Sequence, residues 1–272
     1  MKDIKLIAID IDGTLLNEEN NLAQETIDAI TEARKQGIKV VLCTGRPLTG
    51  VKTYLKALNI SGHDEYAITF NGSQVQDADG NIIEKENITH DEFLELEKLS
   101  HKLDTNFQIE TADYIYATNR DLSPFSIAES YLVKMPIKVR EPNEIDESVE
   151  VVKAMLIANP DVIDKAFKEI PEDLFDRFSV VKSTPVFIEF MNKKSSKGNA
   201  LDSLAKDLNL TADNVMAIGD QNNDMTMIKY AGTGVAMGNA VNELKEIANK
   251  VTKTNKENGV AYAIRNFALN EE

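Results

Sequence analysis

A rhythm of short apolar runs, each stopping on polar residues and each separated by a helix-length stretch, constrains this chain more than any other feature. Ile4 to Ile9 is nearly continuous in apolar residues and ends on Asp10, and Lys39-Val40-Val41-Leu42-Cys43 ends on Thr44. Ala67–Phe70 is a third such run, and Val215–Ile218 and Thr233–Ala236 repeat the pattern far downstream. Strands that face solvent on one side alternate apolar and polar residues; runs without alternation belong to strands covered on both faces, the habit of parallel sheets. Between the first two runs, Ala23–Gln36 reads as a helix, with Ile27, Ile30 and Ala33 on one face and Gly37 as its stop. A second helix runs from the Thr44-Gly45-Arg46-Pro47 break to about Leu58, and others are predicted at Gly198–Leu208, Asn223–Tyr230 and Val241–Ala248. The alternation predicts an α/β fold: a doubly wound, mainly parallel, Rossmann-like sheet.

The rhythm breaks at Asp77-Ala78-Asp79-Gly80-Asn81, which reads as a hairpin turn. From there to about Met191 the pattern is mixed. A helix is predicted at Asp91–Leu103 and another at Asp161–Glu169, with strands near Phe107–Glu110, Tyr114–Thr118, Lys153–Ala158, Phe178–Lys182 and Val186–Met191. This is an α+β insert in an interrupted α/β core. The expected division is a core of residues 1–83 and 193–272 and an insert of residues 84–192.

Composition narrows the partners. With 30 basic and 45 acidic side chains the chain carries a net charge of −15. That balance argues against nucleic acid, which needs clustered Lys and Arg to neutralise phosphates. The single cysteine, Cys43, ends an apolar run and reads as core; it rules out a disulfide framework. The N-terminal apolar run is cut short by Asp10 and Asp12, and no stretch approaches the ~20 apolar residues of a membrane-spanning helix. The expectation is a soluble cytoplasmic protein.

Four polar features fall at predicted strand ends or beside them, where open α/β sheets bind ligands. Asp10-Ile11-Asp12-Gly13-Thr14 sets two carboxylates one residue apart as the first strand opens into a loop, a donor type suited to a hard cation such as Mg²⁺. Thr44-Gly45-Arg46 offers a hydroxyl and a bare glycine N–H before a helix. Lys197 stands at a helix start, where the dipole disfavours a cation unless it has a task. Gly219-Asp220-Gln221-Asn222-Asn223-Asp224 adds two acids, with amides between them, after the fourth run. Each alone has an ordinary reading: an acidic cap, an N-cap threonine, a solvated lysine, acids at a helix start. All four in this order, each at a strand end, are much harder to dismiss.

Taken together, Asp10-x-Asp12-Gly13-Thr14, Thr44, Lys197 and Gly219-Asp220-x-x-Asn223-Asp224 resemble the four-motif signature of the haloacid dehalogenase superfamily. The insert lies between the second and third motifs, as in the Cof-type phosphatases with a large α+β cap. Gly45-Arg46-Pro47, Asn71-Gly72, Tyr116-Ala117-Thr118-Asn119-Arg120-Asp121 and Gly234-Val235-Ala236-Met237-Gly238-Asn239-Ala240 extend the likeness over core and insert. The resemblance implies a Mg²⁺-dependent hydrolase of small phosphorylated sugars. In it Asp10 is the nucleophile and Asp12 the general acid and base. Ile11 N–H, Thr44, Gly45 N–H, Lys197 and Asn223 bind the phosphoryl oxygens. Mg²⁺ is held by Asp10, the Asp12 carbonyl and Asp220, with Asp224 supporting it from outside. The cap would close over the core and set substrate preference, with Tyr114, Tyr116, Asn119, Arg120 and Glu189 as candidate contacts.

Two other classes share parts of this pattern. A receiver-like phosphoacceptor module also combines acids, a threonine, a lysine and Mg²⁺, but needs about half this length and carries its acceptor on a later strand. A phosphomutase shares the Asp-x-Asp pair; isomer interconversion in place of phosphate release would mark it.

Overall fold

The computed structural model describes residues 3–269. It divides into two compact units, Met1–Lys85 with Ser196–Glu272, and Glu86–Ser195. The joins fall a little beyond the expected 83/84 and 192/193. Strand pairing continues through Lys85, opposite Gln74, and Asn192 and Ser195 donate to the carbonyls of Asn87 and Glu86.

The first unit begins with β1 (Leu6–Ile9), a wide turn over Ile11–Leu15, α1 (Gln24–Lys35), β2 (Lys39–Cys43) and α2 (Leu48–Ala57). A hairpin edge follows: β3 (Tyr66–Thr69), β4 (Gln74–Asp77) and β5 (Ile82–Lys85). The second unit holds α3 (His90–Lys102), β6 (Asn106–Glu110), β7 (Ile115–Ala117), α4 (Pro124–Val133), β8 (Ile137–Val139) and β9 (Lys153–Ile157). It ends with α5 (Pro160–Glu169), α6 (Glu172–Arg177), β10 (Phe178–Thr184) and β11 (Phe187–Asn192). The first unit then resumes with α7 (Lys197–Asp207), β12 (Val215–Gly219), α8 (Met225–Tyr230), β13 (Thr233–Ala236), α9 (Asn242–Ile247), β14 (Lys250–Val251) and α10 (Gly259–Ala263).

The first unit's sheet has the order β14-β13-β12-β1-β2-β3-β4-β5. The six strands from β14 to β3 run parallel, and β4 and β5 add an antiparallel edge. β1 is central, and all four of its side chains are fully buried, which is why its sequence shows no alternation. The chain leaves β1 toward β2 on one side and leaves β12 toward β13 on the other. The order therefore reverses between β1 and β12, and the crevice at their C-terminal ends is the place such sheets offer to ligands. The β4–β5 turn is closed by Asp77, whose Oδ1 accepts from the N–H groups of Asp79, Gly80 and Asn81 at 3.0, 2.8 and 2.8 Å.

The second unit is a six-stranded sheet in the order β10-β11-β9-β6-β7-β8. Phe107, Ile109, Ala154, Leu156, Ile188 and Phe190 form one face and pack with Phe93, Leu96 and Ile163 of α3 and α5. The register puts Glu110 opposite Lys153, and Gln108 and Glu189 on either side of Met155. Because side chains alternate along a strand, these five residues share the other face. Among the described residues no helix is long and apolar enough to cross a membrane.

Candidate active site

β1 ends where the ladder still holds: the Asp10 N–H donates to Ile218 O at 3.0 Å, fixing the first acid beside β12. The Ile11–Leu15 turn then folds back, with Leu15 N–H and Leu16 N–H donating to Asp10 O and Ile11 O, both at 3.1 Å. Gly13 sits at φ +81°, in the left-handed region, and a Cβ on it would fall 2.4 Å from Asp220 Oδ2. A glycine is what lets the β1 turn and the β12 turn touch. Thr14 Oγ1 donates to Asp220 Oδ1 at 2.9 Å, and Asn239 Nδ2 donates to Gly13 O at 2.8 Å.

Lys197, the first residue of α7, is completely buried rather than solvated. Its Nζ donates to Asp10 Oδ1 at 2.5 Å and to Asp224 Oδ1 at 2.7 Å. Asp224 Oδ2 accepts the N–H groups of Asp220 and Gln221 at 2.8 and 2.9 Å, which ties the β12 turn together. Asp10, Asp220 and Asp224 each bring an oxygen within 4.8 Å of the others.

Burying one unpaired carboxylate costs more than the roughly 1.5–3 kcal/mol contributed by an apolar side chain on β1, so these acids persist only as a compensated group. Compensation is incomplete. Burial, reinforced by the charge of Asp224 and opposed by Lys197, holds the Asp10 carboxyl well above the usual range. Burial also raises Asp220, against the Thr14 hydrogen bond. Burial alone would lower the Lys197 ammonium, but Asp10 and Asp224 hold it above its ordinary value. Three buried acids against one ammonium leave excess negative charge, and their donors are all carboxylate oxygens. That donor set fits a hard divalent cation such as Mg²⁺.

Asp12 points elsewhere. Its Oδ2 and Oδ1 accept from Arg46 Nε and Nη2 at 2.9 and 2.5 Å, and Arg46 Nη1 donates to the Tyr54 hydroxyl at 3.3 Å. The side chain of Asp12 therefore does not join the acidic group; the third carboxylate there is that of Asp224. At the end of β2, Thr44 Oγ1 accepts Arg46 N–H at 3.1 Å and retains its own O–H to donate. Asn223, exposed at the start of the turn before α8, donates through Nδ2 to Asn71 Oδ1 at 3.0 Å. Cys43 is buried in the core, where burial raises its thiol far out of the reactive range.

A sequence profile of the haloacid dehalogenase-like hydrolases matches residues 7–264. The chain belongs to that family. A Streptococcus pyogenes serotype M6 protein named "Putative phosphatase M6_Spy0533" is 46% identical over 268 residues, covering 98% of this chain and 99% of its own. The 5-amino-6-(5-phospho-D-ribitylamino)uracil phosphatase YcsE of Bacillus subtilis is 36% identical over 270 residues, covering 98% and 97%. A haloacid dehalogenase-like hydrolase from Bacteroides thetaiotaomicron superposes with a TM-score of 0.86 at 28% identity, covering 97% of this chain and 99% of that one.

In this haloacid dehalogenase-like hydrolase the five candidate contacts of the second unit do not gather at one point. Tyr114 and Tyr116 flank Lys138, whose Nζ lies 3.2 and 5.5 Å from their ring centroids. Asn119 Oδ1 accepts the Phe107 N–H at 2.7 Å, and Arg120 pairs with Glu141 at 2.9 Å. Glu189 lies three strands from β7, accepting from Ser183 Oγ at 2.8 Å and Lys153 Nζ at 3.3 Å. Sequence reasoning gave no separate role to Thr14, Arg46 or Asn71. A cation directly after the Thr44-Gly45 loop was the available signal for Arg46.

Proposed function

We propose that this chain is a Mg²⁺-dependent phosphomonoester hydrolase that acts on phosphorylated sugars or sugar alcohols through an aspartyl-phosphate. The observation that carries the reading is Lys197, wholly buried and shared by Asp10 and Asp224 beside Asp220, at the point where the strand order reverses.

Lys197 anchors one oxygen of Asp10, leaving the second to attack phosphorus in line with the ester oxygen. As the Asp10 O–P bond forms, the ester P–O bond breaks and Asp12, having taken a proton from solvent on leaving Arg46, delivers it to the departing sugar oxygen. Water then attacks the aspartyl-phosphate and gives its proton to Asp12, releasing inorganic phosphate and restoring Asp10. For either proton transfer Asp12 must turn from Arg46, and an incoming phosphate is the natural exchange partner for that guanidinium. Thr44, the Ile11 and Gly45 N–H groups, Lys197 and Asn223 supply donors to the phosphoryl oxygens. Mg²⁺, held by Asp10, the Asp12 carbonyl and Asp220 with Asp224 in support, would neutralise phosphoryl charge. Here cation and lysine must also overcome the long-range repulsion of a chain carrying −15.

The substrate class is supported by the motif likeness to Cof-type sugar phosphatases and by YcsE, whose name specifies a phosphorylated ribityl group. The insert, residues 84–192 in the sequence reading, is assigned the choice among esters. The test is a phosphate-release screen over sugar, sugar-alcohol and nucleoside phosphates, with Mg²⁺ and with EDTA. Release from sugar or sugar-alcohol phosphates, lost in EDTA and restored by Mg²⁺, is expected. Undiminished release in chelator overturns the metal assignment, and release from nucleotides alone overturns the sugar assignment.

A further inference from the structure

The connection from β3 to β4 is a tight hairpin turn, and one residue at its entrance is more strained than such a turn requires. Asn71 and Gly72, at φ of 55° and 95°, are the central pair of a turn closed by Ser73 N–H donating to Phe70 O at 3.1 Å, where positive φ at both is the rule, and Phe70 at φ 50° is the departure. That conformation costs a residue with a side chain about 1–2 kcal/mol, and asparagine least among them. Phe70 has no local reason to adopt it. Backbone strain of this kind persists where the surroundings impose it, and it concentrates at functional sites.

The surroundings here are the other loops of the site. Asn71 N–H donates to Thr44 O at 2.9 Å, and Phe70 N–H donates to Arg46 O at 3.2 Å. Gly72 lies so close to the start of α7 that a Cβ would come within 2.2 Å of Ser196 O and 2.9 Å of Lys197 N. Asn71 Oδ1 accepts from Asn223 Nδ2 at 3.0 Å. One three-residue turn thus touches the loop after β2, the helix start that carries Lys197, and the loop after β12.

We propose that Asn71 is a positioning residue for phosphate recognition: it holds the Asn223 carboxamide so that the second Nδ2 proton faces the transferring phosphoryl group. The inference rests on the phosphoester hydrolase reading and adds a residue to it. A carboxamide nitrogen carries two protons. On an exposed side chain such as Asn223 the amide plane rotates freely until one proton is bound, and Asn71 binds it. The remaining proton then has a set direction before substrate arrives, and no ordering is left for the moment of transfer. The left-handed backbone at Asn71 aims its carboxamide at Asn223 while its N–H fixes Thr44. The two phosphate-binding loops are therefore set by one residue.

The test is a double-mutant cycle. kcat and KM are measured for wild type, Asn71→Gly, Asn223→Ala and the double variant on an ester found in the release screen. Binding of inorganic phosphate is measured in parallel by calorimetry. Glycine keeps the left-handed backbone without steric penalty and removes the carboxamide, acceptor included. Asn71→Gly is expected to lower kcat/KM about tenfold and to weaken phosphate binding similarly. In the Asn223→Ala background the same change is expected to have an effect below about twofold, because its route is gone. A full tenfold loss in that background overturns the proposal, as does an unchanged kcat/KM in the single variant. If Asn71→Gly does not fold, Asn71→Asp keeps an acceptor for Asn223. In that variant Asn223→Ala must retain its full cost, and loss of the cost overturns the proposal. A wild-type protein that binds phosphate but turns over no ester overturns the hydrolase reading instead, and the binding cycle still judges Asn71.

Discussion

Among the described residues each unit buries one lysine among acids, and the two clusters are built differently. Lys197 bonds Asp10 and Asp224 at 2.5 and 2.7 Å at the strand ends of the first unit. The second oxygen of Asp224 is taken up by two backbone N–H groups. Lys153 lies on a sheet face of the second unit, 3.2 Å from Glu110, 3.3 Å from Glu189 and 4.0 Å from Glu129. Both Glu110 oxygens, like Gln108 Oε1, are buried without a hydrogen-bond partner. Similar composition therefore yields two electrostatic outcomes. At the strand ends the charges are short-paired and the excess negative charge is buried where the strand order reverses. On the sheet face, burial pushes Glu110 up to about 7, with Lys153 opposing, so a proton completes the balance there. A buried lysine among acids does not by itself mark chemistry; its place relative to the strand ends does.

The sharpest way to break this contrast is to neutralise one member of each cluster. Asp10→Asn is expected to reduce phosphate release by more than about a thousandfold while the melting transition stays cooperative. Retention of more than a thousandth of the rate would remove Asp10 as nucleophile. Lys153→Met, by contrast, strands buried acids without their cation and is expected to cost about 3–5 kcal/mol of folding stability. Denaturant unfolding measures it, and a loss below about 1 kcal/mol would show that Lys153 holds nothing together.

The smallest effect is a pH slope. Glu110 titrates near its ordinary 4.5 when unfolded and at about 7 when folded, so between those values the native state holds more protons. Its contribution to stability therefore falls as pH rises from about 4.5 to about 7, and levels off above that. Glu129, raised by burial against Lys153, acts in the same direction. Glu110→Gln should flatten the decline in melting temperature across this window. An unchanged slope would place the proton elsewhere.

The parallel strands were legible because burial on both faces writes itself as an unbroken apolar run, as in Leu6–Ile9 and Val215–Ile218. α4 was not anticipated. Its apolar residues lie on all sides, with Ile127, Tyr131 and Leu132 exposed, so no helical face stands out in the sequence. The short β8 and β14 and the six-residue α6 leave no mark in the sequence either, since two or three residues of strand carry no period. At the candidate site the acids and Lys197 announce themselves as polar residues where apolar runs stop. The grip of Arg46 on Asp12 spans 34 positions, and that of Asn71 on Asn223 spans 152. Both depend on which loops the fold brings together. Nothing about Phe70 in the sequence says that its backbone is left-handed.

The central strand has a consequence for how the molecule is made. β1 takes β2 as one neighbour and β12 as the other, and β12 begins at Val215, more than two hundred residues after β1 ends at Ile9. On a translating ribosome the inserted unit emerges whole while the flank of β1 still waits for its second partner. A nascent chain of this design carries an unpaired apolar edge through most of its synthesis, the condition under which chaperones are recruited and truncated products aggregate.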